Sequence, residues 1–165
     1  MGKSGKSLSE NPFPDSCLID TDVLINWLTQ EVDPNTKKEL WKASHQLIKL
    51  IEDKKIKGFI SLFTLLEVRF VLRRKKDLNE EEIKKDINKI LRILEVIIPG
   101  EIDLLRANEL QIENPLSPFD ALLLSVCSTL KDGVLITRDK SLLKIASKFT
   151  SSFTPEDFLL NKLKK

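Results

Sequence analysis

The sequence predicts an α/β fold in which a mainly parallel sheet of four or five strands is flanked by helices. Short uninterrupted apolar runs, such as residues 17–19 and 134–136, suit strands that are buried on both faces. Between these runs lie longer segments with apolar residues at helical spacing. Because strands and helices alternate along the chain, we expect the strands to be parallel and the helices to cover both faces.

The individual elements follow from the same pattern. Residues 17–19 are predicted to form an inner strand, and residues 23–30 a short helix with Asp22 at its N-cap. Thr36 is predicted to cap a second helix that ends near Glu52. The other predicted strands are residues 58–61, 93–98, 134–136 (an inner strand) and 149–153, and the other predicted helices are 62–74, 80–91, 101–112, 117–130, 140–147 and a terminal helix from Pro155.

Length and composition favour one domain after a short tail. The chain has 165 residues, of which 41% are apolar and 32% charged, which suits a single core with a charged surface. Residues 1–16 are rich in small and polar residues and are predicted to be a flexible N-terminal tail, with residues 17–165 as the domain. No signal peptide is visible, and the apolar run 121–130 is too short to span a membrane, so we expect a cytoplasmic protein.

Charge and metal-ligating residues narrow the classes of function. The 27 basic and 25 acidic residues give a net charge of +2, which neither requires nor excludes nucleic acid. Cys17 and Cys127 lie in apolar runs and are interpreted as buried small residues. With His45 as the one histidine, zinc sites of several His or Cys ligands are poorly supported. A metal would therefore be bound by carboxylates, which favour Mg²⁺ or Mn²⁺.

Four acids stand where a parallel sheet would bring them together. Asp20 and Asp139 follow predicted strands, Asp120 lies in the first turn of a helix, and Glu67 is the one acid in the apolar segment 60–72. Each also has a local explanation as a helix-capping residue. Strand ends and helix starts share one edge of a parallel sheet, so we expect the four side chains to converge there. Clustered carboxylates repel one another, and a divalent cation relieves that repulsion.

The motifs around these acids resemble a known family. They read Ile19-Asp20-Thr21-Asp22, then Glu67, then Ser117-Pro118-Phe119-Asp120-Ala121, then Leu135-Ile136-Thr137-Arg138-Asp139. In this order and spacing, residues 17 to about 153 resemble a PIN domain, the metal-dependent nuclease family that includes VapC-like toxins. The resemblance implies a PIN-like α/β/α sandwich.

The resemblance also implies roles for single residues. Asp20, Glu67, Asp120 and Asp139 would be the catalytic carboxylates that bind one or two Mg²⁺ or Mn²⁺ ions, and Thr21, Asp22 and Thr137 would support them. The implied reaction is hydrolysis of RNA phosphodiesters, as in the toxin of a toxin–antitoxin pair, with a small antitoxin protein as partner and a second copy in a homodimer. From their charge, Arg138, Arg73 and Arg74 are predicted to contact substrate phosphates.

Two alternatives stay open. Asp20 and Asp22 also fit the nucleophile and acid of a haloacid-dehalogenase-like phosphatase, with Ser61 as its phosphate-binding hydroxyl. Against this assignment, Leu24 stands where that family prefers Thr or Val, and Glu67 would have no role. The other alternative is a PIN-like scaffold that binds a partner without catalysis.

Overall fold

The computed structural model of the chain describes residues 14–163. The strands are β1 (Ser16–Ile19), β2 (Lys57–Ser61), β3 (Glu95–Ile97), β4 (Gly133–Ile136) and β5 (Ser152–Phe153). The helices are α1 (Thr21–Thr29), α2 (Leu40–Glu52), α3 (Leu62–Arg74), α4 (Glu80–Ile93), α5 (Glu101–Glu113), α6 (Pro118–Thr129), α7 (Lys140–Ala146) and α8 (Pro155–Leu163). Most of the predicted tail, residues 1–16, lies outside the described residues, but Ser16 already belongs to β1.

The strands form one five-stranded parallel sheet in the order β3-β2-β1-β4-β5. This confirms the predicted fold class, with β1 and β4 as inner strands. Ile19 is paired with Ile136, and the Asp20 N–H donates to the Ile136 carbonyl at 3.0 Å. Asp20 and Thr137 therefore leave the sheet side by side at its carboxyl edge.

Alternate residues of the inner strands face opposite layers of helices. Cys17 and Ile19 pack into a core with α1, α2, α3, α4 and α8, whereas Leu18 packs into a second core with α5, α6 and α7. In β4, Leu135 likewise faces the second core, whereas its neighbours Val134 and Ile136 face the first. Burying one such aliphatic side chain stabilises the fold by about 1.5–3 kcal/mol. Because both faces of these strands are buried, their sequences do not alternate between apolar and polar residues.

Two predicted helix starts are wrong. Helix α1 begins directly after β1, so its N-cap is Asp20, whose carboxylate accepts the Thr21 N–H at 2.7 Å, and Asp22 lies inside the helix. Helix α2 begins at Leu40, since Lys37 adopts a left-handed backbone conformation (φ 60°) that cannot continue a helix. Thr36 instead lies in a turn where its N–H donates to the Asp33 carboxylate.

The structure also removes the local explanation for Glu67. Helix α3 starts at Leu62 and is capped by Ser61, whose Oγ accepts the Phe63 N–H. Glu67 therefore lies in the second turn, too far along for a capping role. In contrast, Ser117 and Pro118 begin α6 as predicted, with the Ser117 Oγ accepting the Asp120 N–H. Within residues 14–163, no helix combines the length and the apolar character needed to cross a lipid bilayer.

Candidate active site

The four predicted carboxylates line a single open cleft at the carboxyl edge of the sheet. Asp20 reaches it from the end of β1, Glu67 from α3, Asp120 from the first turn of α6 and Asp139 from the β4–α7 connection. Thr21 and Asp22 line the same cleft. The parallel topology thus brings together four elements that are distant in the sequence.

Thr137 links two of these acids. Its Oγ1 donates to Asp20 Oδ2 at 2.7 Å and accepts the Asp139 N–H at 3.1 Å. Thr137 is fully buried, so its hydroxyl cannot be replaced by water from the bulk. The bridge holds the Asp20 carboxylate at a fixed distance from the backbone of Asp139.

Each of the other three acids is held through hydrogen bonds to one of its two carboxylate oxygens. Thr21 Oγ1 donates to Glu67 Oε2 at 2.5 Å, Ser117 Oγ donates to Asp120 Oδ2 at 2.7 Å, and Asp139 Oδ1 accepts two N–H groups at the start of α7. In the described part of the chain, Glu67 Oε1, Asp120 Oδ1 and Asp139 Oδ2 make no hydrogen bond. Three carboxylates are therefore anchored, and each keeps one oxygen for a ligand.

Burial raises the pKa values of three acids of the cleft, Asp20, Asp22 and Asp120. Burial, reinforced by the charge of Asp22, raises the pKa of Asp20 to about 8 against the hydrogen bonds from Thr137 and Thr21. Burial raises the pKa of Asp22 to about 6, although the Arg138 N–H favours its ionised form. Burial and the nearby charges of Asp139 and Glu67 also raise the pKa of Asp120. Without a cation, the cleft therefore retains carboxyl protons at neutral pH.

The donor set fits a hard divalent cation bound partly through water. Among residues 14–163, no group of three or more His, Cys, Asp or Glu residues forms a ready-made metal cage. The available donors are carboxylate oxygens, and Asp22 Oδ1 is buried without a hydrogen-bond partner. Mg²⁺ commonly binds proteins through one or two carboxylates, several waters and substrate phosphates. The residues present match that mode of binding and do not match a closed structural site.

Arg138, for which a phosphate contact is predicted, does not line the cleft, and its guanidinium is bound by other groups. Its Nη1 donates to both Glu156 oxygens at 2.9 and 2.7 Å, and its Nη2 donates to the Leu40 carbonyl at 2.8 Å. The largely buried guanidinium therefore ties the β4–α7 connection to α2 and α8. Burial opposes ionisation of Glu156, but hydrogen bonds from Arg138 and Lys38 outweigh it and lower the pKa of that carboxyl.

Replacing Arg138 by Met is expected to lower the free energy of unfolding by roughly 1–3 kcal/mol, since it leaves the Leu40 carbonyl and part of Glu156 without a donor. Urea unfolding measures the loss. Lys42→Met, which removes an exposed ion pair with Glu39, is the control and is expected to change stability by less than about 1 kcal/mol. An equal effect of the two substitutions would contradict the structural role of Arg138.

The other predicted arginines also lie outside the cleft. The exposed Arg73 pairs with Glu80 at 2.6 Å, and neither Arg73 nor Arg74 lines the cleft. The next two residues in the run, Lys75 and Lys76, line it instead. The sequence showed a basic end of α3 but not which of its residues face the acids.

Asn26 and Glu31 were missed by the sequence interpretation. Asn26 lies four residues after Asp22, which puts both on one face of α1, and this spacing was a usable signal. Its Nδ2 donates to Glu31 Oε2 at 2.7 Å, and Lys76 donates to Glu31 Oε1 at 3.0 Å. All of these residues line the cleft. Glu31 follows the left-handed residue Gln30 beyond the helix, so helical spacing could not place it.

Comparisons with known proteins identify the family. The family model of the PIN domain matches residues 17–148. A search of curated proteins finds no match. Several solved structures share the fold, among them a toxin–antitoxin complex from Klebsiella pneumoniae, which is 20% identical with a TM-score of 0.60 over 84% of this chain and 97% of that chain.

Two further structures are similar to a comparable degree. VapBC2 from Rickettsia felis, bound to a DNA fragment from its promoter, is 16% identical with a TM-score of 0.63 over 84% of this chain and 98% of that chain. PAE2754 from Pyrobaculum aerophilum is 19% identical with a TM-score of 0.63 over 91% and 98%. The family match covers most of the chain and agrees with the motifs, the parallel sheet and the acidic cleft. The chain belongs to the PIN domain family.

Proposed function

We propose that the chain is a divalent-metal-dependent endoribonuclease that hydrolyses RNA phosphodiesters in the acidic cleft. The observation that carries this proposal is the convergence of Asp20, Glu67, Asp120 and Asp139 in one cleft. An acidic cleft repels the negatively charged phosphate of RNA unless cations are bound there. A phosphodiester substrate would therefore need a metal ion in the cleft to bind. Membership of the PIN domain family supports the nuclease over the phosphatase.

The residues of the cleft have different roles in the proposed reaction. Glu67, Asp120 and Asp139 would offer their unbonded oxygens to the ion, and Asp20 would be kept in place by Thr21 and Thr137. When bound, Mg²⁺ or Mn²⁺ supplies a water of lowered pKa and neutralises charge on the attacked phosphate. Lys75, which lines the cleft and is exposed, would contact a phosphate beside the cut bond. No histidine base is needed for this reaction.

The test is cutting of RNA by the purified protein. A mixture of structured and single-stranded RNAs is incubated with Mg²⁺, with Mn²⁺ or with EDTA, and the products are separated on a gel. We expect cutting with either metal and none with EDTA. Cutting that persists in EDTA would contradict the metal requirement. Absence of cutting would favour the scaffold, and release of p-nitrophenol from its phosphate monoester would favour the phosphatase.

We also propose a small antitoxin protein as the partner of this chain. The support is the resemblance to structures of toxin–antitoxin complexes, including those from Klebsiella pneumoniae and Rickettsia felis. An antitoxin of this kind would block the cleft, and its addition should stop RNA cutting.

We also propose that two copies of the chain form a homodimer through exposed apolar faces of two helices. Helices α3 and α5 expose large apolar side chains, including Leu66, Phe70, Ile102 and Leu105, each at least 55% accessible. Leu66 and Phe70 are four residues apart and Ile102 and Leu105 three, so each pair lies on one face of its helix, and exposed apolar faces are typical of interaction surfaces. Light scattering should give twice the chain mass of 18.9 kDa, and Phe70→Lys should shift the protein to the monomer. A monomeric parent protein would contradict the dimer.

A further inference from the structure

A second large concave surface lies at the opposite edge of the sheet from the acidic cleft. It is an open groove of about 960 Å³ between the end of α2, the start of β2 and α4. Its lining includes Gly58 near the start of β2 and Glu95 at the start of β3, whereas the cleft lies where the strands end. Among residues 14–163, no residue lines both surfaces.

Basic side chains from three elements line this groove. They are Lys54 in the α2–β2 connection, Lys57 in β2, and Lys85, Lys89 and Arg92 in α4. The three residues of α4 are spaced at i, i+4 and i+7, which puts them on one helical face over roughly 10 Å of helix axis. All five side chains belong to exposed residues. The groove thus presents a row of cations and not one isolated charge.

These cations form no close ion pairs in the described part of the chain, although the charges of Lys85 and Lys89 favour the ionised form of nearby Asp86. None of the five forms an ion pair within 4.0 Å there, and Lys89 instead lies over the Trp27 ring at 4.3 Å from its centroid. The groove also contains Glu52, Asp86 and Glu95, but Glu52 already pairs with Lys49, which does not line the groove. Positive charge is therefore in excess.

The acidic cleft offers much less positive charge. Lys75 and Lys76 are the cations that line it among the described residues, and Lys76 is paired with Glu31 at 3.0 Å. A long polyanionic substrate would thus find few phosphate contacts beside the cleft. The groove provides the positive charge that the cleft lacks. Ile51 and Ile93 also line the groove and offer apolar surface that sugars and bases can contact.

We propose that this groove binds the phosphate backbone of single-stranded RNA as a second contact surface, separate from the acidic cleft. That the occupant is RNA rests on the proposed function. That the groove binds a chain of phosphates rests on its own row of unpaired cations. Phosphate contacts hold a strand without reading its sequence. The groove would therefore strengthen binding of long RNAs over short ones.

The test uses the full chain carrying Asp20→Asn, so that RNA is bound and not cut. The test variant adds Lys85→Gln, Lys89→Gln and Arg92→Gln. The matched control adds Lys131→Gln, Lys144→Gln and Lys148→Gln, three exposed lysines that line neither the groove nor the cleft. Binding of a fluorescent single-stranded RNA is measured by anisotropy between 50 and 200 mM salt, and thermal unfolding verifies that each variant is folded.

We expect the groove variant to bind RNA more weakly and with a shallower salt dependence than the control. Each lost phosphate contact on a single strand reduces the slope of log K against log salt by about 0.7. Three lost contacts reduce it by about 2, so that the control loses roughly 20-fold more affinity than the groove variant over this range of salt. Equal affinities and equal slopes of the two variants would overturn the proposal.

Two further arms separate the remaining outcomes. A poly-glutamate peptide that competes as well as RNA of equal charge would indicate an acidic protein as occupant and overturn the assignment to RNA. Failure of the parent chain to cut RNA, together with the expected loss in the groove variant, would remove the proposed nuclease and leave the groove as an RNA-binding surface. If the parent cuts RNA but the groove variant shows no loss of RNA binding, the proposed nuclease stands and the groove proposal is overturned.

Discussion

Replacing Asp20 or Asp120 by asparagine is expected to lower the rate of RNA cutting at least about 100-fold, because even residues that merely orient metal ligands contribute 10–100-fold. Both replacements preserve the side-chain shape and the hydrogen bonds at the two helix starts, although at position 20 the Thr137 hydroxyl loses its carboxylate acceptor. An asparagine oxygen at position 20 can still accept the Thr21 N–H, and an asparagine at position 120 can still bond Ser117. The loss would thus report the missing negative charge in the cleft and not a misfolded helix start.

The matched control for these variants is Asp132→Asn. Asp132 is exposed in the turn before β4, at the other edge of the sheet, and its left-handed backbone (φ 53°) is one that asparagine adopts readily. Single-turnover cutting of one RNA in Mn²⁺ measures all three variants. Full activity in Asp20→Asn would remove this residue from the proposed mechanism, and a comparable loss in Asp132→Asn would show that the assay responds to something other than the cleft.

The free energy of unfolding is expected to fall as the pH rises from about 4 to about 8 in the absence of metal. The pKa of Asp20 is raised to about 8 and that of Asp22 to about 6 in the folded chain, whereas an unfolded aspartate titrates near pH 3.9. Between these values the folded chain holds protons that the unfolded chain has released. Stability therefore decreases with rising pH across this window.

Metal should reverse this loss. An ion that binds only the folded state at 100 times its dissociation constant adds about 2.7 kcal/mol of stability. We expect Mn²⁺ to raise the melting temperature at pH 8 more than at pH 5, because at pH 5 the carboxyl protons compete with the metal. Asp20→Asn should flatten the pH profile and reduce the effect of Mn²⁺, and Asp132→Asn should leave both unchanged. A pH profile of Asp20→Asn identical to that of the parent would contradict the raised pKa.

Much of the fold and of the site follows from local sequence patterns. Apolar runs place β1 and β4, and the parallel topology that they imply puts Asp20 and Asp139 at one edge of the sheet. Ser117 and Pro118 mark the start of α6 by capping chemistry that depends on neighbouring residues alone. Such features are predictable because their physical causes lie within a few residues of the chain.

Contacts between distant segments were not predictable in this way. Arg138 contacts Glu156 and the Leu40 carbonyl, 18 and 98 residues away, only in the folded chain, so its charge alone could not indicate these partners. The direction in which Lys75 and Lys76 face depends on where α3 ends against α1. The N-cap is Asp20 and not the predicted Asp22 because Asp20 directly follows the last residue of β1 and α1 starts at the next residue.

Binding of Mn²⁺ tests the central claim most directly, because it measures the metal site without depending on the choice of RNA. Titration calorimetry compares the parent chain with the double variant Asp20→Asn, Asp120→Asn and with Asp132→Asn. We predict one or two bound ions for the parent and for Asp132→Asn, with release of protons from the cleft on binding, and no measurable binding by the double variant. Equal binding by the parent and the double variant would contradict the assignment of the acidic cleft as the metal site.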